Sequence, residues 1–316
     1  MVKPLLLNFI KAINQNNKMT TQTTIKMKKN LYTYFTVACL AILTFVSSCK
    51  KTEEISTTDS DTVIESAQGD ETVTDTFNDL FLISSQNVSL FEAPVNNSTG
   101  ISTDATSSST WLIPNTTCRT VTVSPSGNTF PKTVTIDYGT GCDDGGKLKK
   151  GKIIAVYSGR FKQAGTTINI SFDNFYINGD KIEGTKSIVN NGPDAAGNYS
   201  FTVTINNSRI RATGGTSTLT AVKTITWIEN SNTSPTDDEF SMSGSLSATS
   251  AGGKTYSYTT LEPLVKKVAC LYISSGKLLI NIAGRPQLTL DYGTGTCDNK
   301  ATLSANGKTK EITLRK

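Results

Sequence analysis

The 316-residue chain contains no histidine. That absence excludes Ser-His-Asp triads, Cys-His nucleophiles and histidine-ligated metals. None of the six cysteines falls in a Cys-x-x-Cys pair, so zinc has no plausible ligand set either. Charged residues make up only 18% and aromatics 8% of the chain. The formal net charge of +5 is a property of the amino terminus, since residues 1–48 hold six lysines and no acid. Without them 31 − 6 = 25 basic residues face 26 acidic ones. No basic footprint remains to release counterions from a nucleic acid, so that partner class is not expected.

Apolar runs are equally scarce. The run from Leu31 to Val46 is 16 residues long, short of the ~20 that span a bilayer, and it follows Lys26, Lys28 and Lys29. This is the layout of a signal peptide, for which Met27 is an alternative start. The run closes on Val46-Ser47-Ser48-Cys49, which resembles the lipobox of bacterial lipoproteins. The resemblance implies removal of residues 1–48 and lipidation of Cys49, an attachment to the membrane through more than one acyl chain. Residues 49–70 read as a lipidated tether, because a Lys/Glu stretch followed by Ser, Thr and Asp has too little apolar surface to offset its ordering entropy. Within it, Asp61-Thr62-Val63 resembles a bacterial O-glycosylation site.

Residues 71–110 read as a helix and a linker. Val73, Phe77, Leu80, Phe81 and Ser84 recur at helical spacing with Asp75, Asn78 and Asp79 opposite, which predicts an amphipathic helix from about Glu71 to Ser89. Residues 96–110, dominated by Ser, Thr, Asn and Gly, form the linker. From 111 to 316 the period changes to two: Ile168, Ile170 and Phe172 share one face, as do Phe201, Val203 and Ile205. Asn178-Gly179, Gly214-Gly215, Gly252-Gly253, Gly284-Arg285 and Asn306-Gly307 sit between such runs as hairpin turns. The expected fold is mainly β: a large antiparallel meander of hairpins, as a sandwich or an open barrel, with one amino-terminal helix.

A duplicated unit spans 118–160 and 270–316. Thr135-Ile136-Asp137-Tyr138-Gly139-Thr140-Gly141-Cys142 returns as Thr289-Leu290-Asp291-Tyr292-Gly293-Thr294-Gly295-Thr296-Cys297, each with a cysteine upstream. Partners in an antiparallel hairpin have a constant index sum. The midpoint of Cys118 and Cys142 is residue 130, in a Pro/Gly/Asn turn, and that of Cys270 and Cys297 falls on Ala283-Gly284. Disulfides Cys118–Cys142 and Cys270–Cys297 follow as the only pairing that keeps both bridges local, with Ser275-Gly276 as a bulge. Four free thiols are the alternative.

Asp137, Asp143, Asp144, Asp291 and Asp298 lie beside glycines and are candidate calcium ligands, or simply turn residues. Lys147, Lys149, Lys150 and Lys152 read as a local positive patch, either an anion contact or a solvated loop. The Asp-Tyr-Gly-Thr-Gly-Cys motif, Phe172-Asp173-Asn174-Phe175-Tyr176 and Cys297-Asp298-Asn299-Lys300-Ala301 together resemble a group of predicted Gram-negative surface lipoproteins with a β-rich domain. The resemblance implies an outer-membrane, lipid-anchored location facing the surface or the periplasm, and contributes no catalytic residues. The expected role is non-catalytic binding of a glycan or an envelope protein, or a structural one, with Trp111, Trp227, Tyr256 and Tyr258 as possible stacking platforms. A carboxylate-based glycoside hydrolase and a lipid carrier with an apolar cavity are the alternatives.

Overall fold

The computed structural model describes residues 55–91, 118–127, 129–230 and 236–315. The signal peptide, Cys49, the expected 96–110 linker and Trp111 lie outside them. Helix α1 runs over Thr57–Gln86 and is followed by the short α2, Val88–Phe91. Ser56 caps α1: its side chain accepts the Asp59 backbone N–H, and the Asp59 carboxylate accepts the Ser56 N–H at 3.1 Å. At the other end the Asn87 side-chain amide donates to the Ile83 carbonyl at 2.7 Å.

The helix therefore begins inside the stretch that reads as a tether. Thr62 is buried, with its hydroxyl donating to the Thr58 carbonyl at 2.9 Å, so the glycosylation reading of Asp61-Thr62-Val63 is overturned. Nor does α1 have one dry face and one wet one. Val63, Leu80, Phe81 and Ile83 are fully buried, and so are Ser66, Asp70 and Ser84. Beyond Asp61 no helical residue whose burial is described is exposed. Composition alone would leave residues 57–70 unordered; the sheet orders them by supplying partners for their polar groups.

That sheet has fourteen strands. The first are β1 (Thr120–Ser124), β2 (Lys132–Asp137), β3 (Cys142–Asp144), β4 (Lys147–Tyr157) and β5 (Thr167–Ile177). The long central strands are β6 (Asp180–Pro193), β7 (Tyr199–Ile210), β8 (Thr216–Ile228), β9 (Glu239–Thr249) and β10 (Thr255–Lys267). The last are β11 (Ser275–Ile282), β12 (Leu288–Thr294), β13 (Lys300–Ala305) and β14 (Lys308–Thr313). Neighbours in sequence are neighbours in the sheet, except that β2 pairs with β4 and β3 lies beside β4. The result is one continuous antiparallel meander that does not close. The five turn dipeptides expected from sequence join β5 to β6, β7 to β8, β9 to β10, β11 to β12 and β13 to β14.

The sheet curls around α1. Phe77 packs edge-on against Phe201 of β7 and Phe240 of β9, each at 5.2 Å. Phe81 meets Trp227 of β8 at 4.8 Å, and Ser84 hydrogen-bonds Tyr157 of β4. Curvature of this kind needs points where neighbouring backbones approach closely, and glycines supply them. At Gly184 on β6, φ is +108° and an added Cβ would lie 2.2 Å from the Asn206 carbonyl oxygen of β7.

Both expected disulfides are present, Cys118–Cys142 and Cys270–Cys297, with Cα–Cα distances of 5.5 and 5.7 Å. Residues Thr120 and Asp137 pair across β1 and β2, close to the expected register, while Cys142 sits on β3, so the first bridge ties the start of β1 to that short strand. The second joins the segment before β11 to the one after β12. A register shift between Ser275 and Lys277 marks the expected bulge at Gly276.

Gly184→Ala is expected to cost about 2 kcal/mol or more, because the new methyl group meets backbone at a positive φ. Thermal unfolding should show it as a drop of roughly 4–8 °C. An unchanged melting temperature would mean that close approach at this kink does not constrain the curl.

Candidate functional site in the charged interior

Inward positions of a strand are expected to be apolar, yet every even-numbered strand from β2 to β10 turns lysine inward. Lys132, Lys147, Lys149, Lys186, Lys223 and Lys266 are all buried, in phase with residues such as Ile153, Ile188, Ile225 and Leu264. Lys132 donates to the Pro125 and Gly127 carbonyls, and the helix faces the others with Glu71, Asp75 and Asp79, four residues apart and hence on one stripe, and with Asp59 and Asp70. Such a stripe is self-repelling in isolation. Here Asp59, Asp70, Asp75 and Asp79 each meet a cation from outside the helix.

Asp79 accepts from Arg119 at 2.9 Å and from the Tyr138 hydroxyl at 3.2 Å, with Lys149 Nζ at 3.6 Å. Burial works to raise the Asp79 carboxyl, but Arg119 and Lys149 overcome it and hold it at about 2. Asp144 of β3 joins this group through Lys149 at 2.6 Å and Arg119 at 3.3 Å. Asp75 pairs with Lys147 at 2.5 Å and with Lys266 at 3.6 Å. Its carboxyl is held below its ordinary range, because these lysines outweigh the burial that acts to raise it. Asp70 accepts from both Lys223 and the Tyr258 hydroxyl. Towards the start of the helix Arg285 pairs with Asp59, and Arg211 with Glu65 at 2.9 Å.

Two groups stand apart. The Glu71 carboxylate has no hydrogen-bond partner, and Lys147 Nζ is 3.6 Å away. Burial pushes it up to about 7, an effect that Lys147 only partly offsets. Lys186 donates to the Thr72 carbonyl at 3.2 Å and the Thr76 hydroxyl at 3.0 Å, and its Nζ lies 5.5 Å from the centre of the Phe172 ring. Burial brings it down to about 7. In both, burial outweighs the attraction of neighbouring charges, as it does for Lys223, which burial also lowers to about 7.

The residues singled out from sequence are dispersed around this network. Asp137 and Asp291 each accept the N–H of the glycine two residues on, Gly139 at 2.8 Å and Gly293 at 2.9 Å, so the two copies of the motif turn the chain alike. Asp143 accepts from Gly146 N, and Asp298 from Lys300 N. Turn formation accounts for these four carboxylates and ion pairing for Asp144; among the described residues no group of three acids, cysteines or histidines converges as a metal would need. The proposed patch of lysines splits by strand alternation. Lys147 and Lys149 point inward to the helix, and the ammonium group of Lys150 lies outside over the Tyr176 ring at 4.1 Å. It is therefore neither a solvated loop nor a continuous surface patch. Trp227, Tyr256 and Tyr258 are buried, as core rather than stacking platforms.

Removing one member of a buried, hydrogen-bonded ion pair strands its partner. Asp79→Asn is expected to lower stability by about 3–5 kcal/mol by leaving Arg119 and Lys149 undercompensated. Chemical denaturation checks this, and a loss under 1 kcal/mol would show that the network relaxes. Glu71 acts the other way. Its folded-state value of about 7 exceeds the ordinary 4.5, so the folded protein binds a proton more tightly and stability falls as pH rises between those values. Glu71→Gln should match the parent near pH 4 and exceed it by up to about 3 kcal/mol above pH 7. A pH-independent difference between the two proteins would contradict this assignment.

No protein-family model, no curated protein and no solved structure matches the chain.

Proposed function

We propose that this is a lipid-anchored envelope lipoprotein, attached through Cys49 to the outer membrane, with a non-catalytic binding or structural role. The observation that carries the reading is the occupancy of the sheet's interior. The helix fills the space in which a lipid carrier would hold its cargo, and its acids are committed to the lysines of the sheet. A cavity of about 50 Å³ remains among Gly69, Ile182, Leu219 and Tyr256. Small-molecule sites begin at about 300 Å³. The hydrolase alternative needs paired carboxylates at an open cleft, whereas the helix acids of this chain are buried inside the curled sheet, and Asp59, Asp70, Asp75 and Asp79 are paired with cations.

What the molecule offers to a partner is its outer face. Ser171, Thr185, Asn206, Thr220, Ser247, Ser257 and Asn281 are paired in register across β5 to β11. They form an uncharged row of hydroxyl and amide groups. An open groove of about 560 Å³ runs past Thr220, Ser247, Ser257 and Asn281. Neutral hydrogen-bonding groups in a shallow groove suit a glycan or another envelope component better than a charged ligand. Calcium has no part in this reading.

Metabolic labelling with a palmitate analogue, followed by mass spectrometry of the amino-terminal peptide, tests the anchor. The parent protein should carry the label on Cys49 and partition with membranes, and Cys49→Ala should lose both. Label that persists in Cys49→Ala would overturn the proposal.

A further inference from the structure

The early start of α1 fixes more than the interior. Only five residues, 50–54, separate Cys49 from Ile55, which packs against the core. A chain of that length spans at most about 20 Å. Had residues 49–70 been a free tether, the same arithmetic would allow about 70 Å and any orientation of the body. The helix itself, 30 residues, is about 45 Å long. With Cys49 lipidated, the leash would keep the start of α1 within about 20 Å of the lipid, while its far end could lie up to a helix length further away.

The first turns of α1 are ringed by one set of strand connections. Arg211 from the β7–β8 turn and the Ala251 N–H from the β9–β10 turn meet Glu65, and Arg285 from the β11–β12 turn meets Asp59. Lys310 of β14 donates to the Ser60 hydroxyl, and Arg315 pairs with Asp61. The connections 178–179, 211–215, 250–254, 283–287 and 306–307 contain Arg211, Lys254 and Arg285 and no acid, and Asp180, which accepts the Ala212 N–H beside them, is paired with Arg209. Asp59, Asp61 and Glu65 balance the three arginines, while Lys254, Lys308 and Lys310 add further positive charge. At the opposite end Phe161 meets Phe91 and Phe81, and Trp227 meets Phe81. The connections there carry Asp194, Glu229, Asp237 and Asp238 against Arg160 and Lys162.

We infer that the ring of turns around the amino-terminal end of α1 is a membrane-facing surface that rests on anionic phospholipid headgroups, with the acidic end directed away from the bilayer. Two independent features agree: a short covalent leash at the basic end, and a charge gradient along the helix axis that an anionic surface would orient the same way. The inference rests on lipidation of Cys49.

The test uses the full lipidated protein in vesicles of equal parts phosphatidylethanolamine and phosphatidylglycerol. An environment-sensitive dye is placed through Lys254→Cys at the near end or Asn198→Cys at the far end, and quenching by headgroup-nitroxide lipids is read. Quenching several-fold stronger at residue 254 is expected. A flexible Gly/Ser insert of about 20 residues after Lys51 should reduce the difference by lengthening the leash. Equal quenching at both ends, or stronger quenching at residue 198, would overturn the orientation while leaving the anchor intact. Vesicle binding that survives Cys49→Ala would instead sink the anchor itself, and the orientation argument with it.

Discussion

The structure depends on one constraint: a helix carrying a stripe of buried carboxylates lies within one curled sheet, so that sheet must supply positive charge from its inner face. Burying an ion costs several kcal/mol even after the protein relaxes, and a well-placed counterion with further hydrogen bonds is what offsets it. Asp79 shows the solution most fully, since it receives Arg119, the Tyr138 hydroxyl and Lys149 from three separate segments. An apolar helix in an apolar cradle would bury more favourably but could rotate or slip by a turn. Here a slip of one turn that moved Asp75 to the position of Asp79 would bring Ser66 to the position of Asp70 and leave Lys223 and Tyr258 without their carboxylate. The ion pairs thus act chiefly on register, and the aromatic contacts of Phe77 and Phe81 supply much of the affinity.

The same constraint shapes folding order. Each hairpin of the meander is local, but the helix precedes all of them in the chain and touches strands up to the last. Lys310 and Ser60 are 250 residues apart in sequence, and Arg315 and Asp61 are 254 apart. Loop-closure entropy makes such contacts late and slow. The helix, with its weakly apolar first half, gains its partners only as the sheet curls around it.

The hairpins were legible in the sequence because period-two alternation and Asn-Gly or Gly-Gly dipeptides have few alternative meanings. Both disulfides followed from the same symmetry, and Gly276 fell on its bulge. The charged interior was not legible, and the reason is physical. Periodicity records that a face is polar, without recording whether water or a lysine satisfies it. Asp75 and Asp79 therefore read as a wet helical face, and Lys147 and Lys149 as part of a surface patch. The signal that would have exposed them is phase. Lys223 shares its parity with Ala221, Ile225 and Trp227, and Lys149 with Ile153 and Tyr157. A lysine in phase with a buried face needs an acid to meet it, and the acids from Asp59 to Asp79 run from the segment that read as a tether into the expected helix. The capping pattern Ser56-Thr57-Thr58-Asp59 marked its start.

The duplicated motif makes the dependence concrete. In each copy the aspartate turns the chain and the following tyrosine, Tyr138 or Tyr292, is carried inward and buried. The sheet is repeated but the helix is not, so equivalent tyrosines meet different groups. Tyr138 donates to Asp79, whereas Tyr292 makes no hydrogen bond through its hydroxyl and feels the charge of Glu71, two helical turns earlier. The copy with a fully paired acid holds that acid ionised. The copy without one faces the carboxyl that titrates near neutrality. Duplication of the strands supplied two similar cradles, and the unrepeated sequence of the helix decided which became a locked ion cluster and which remained sensitive to pH.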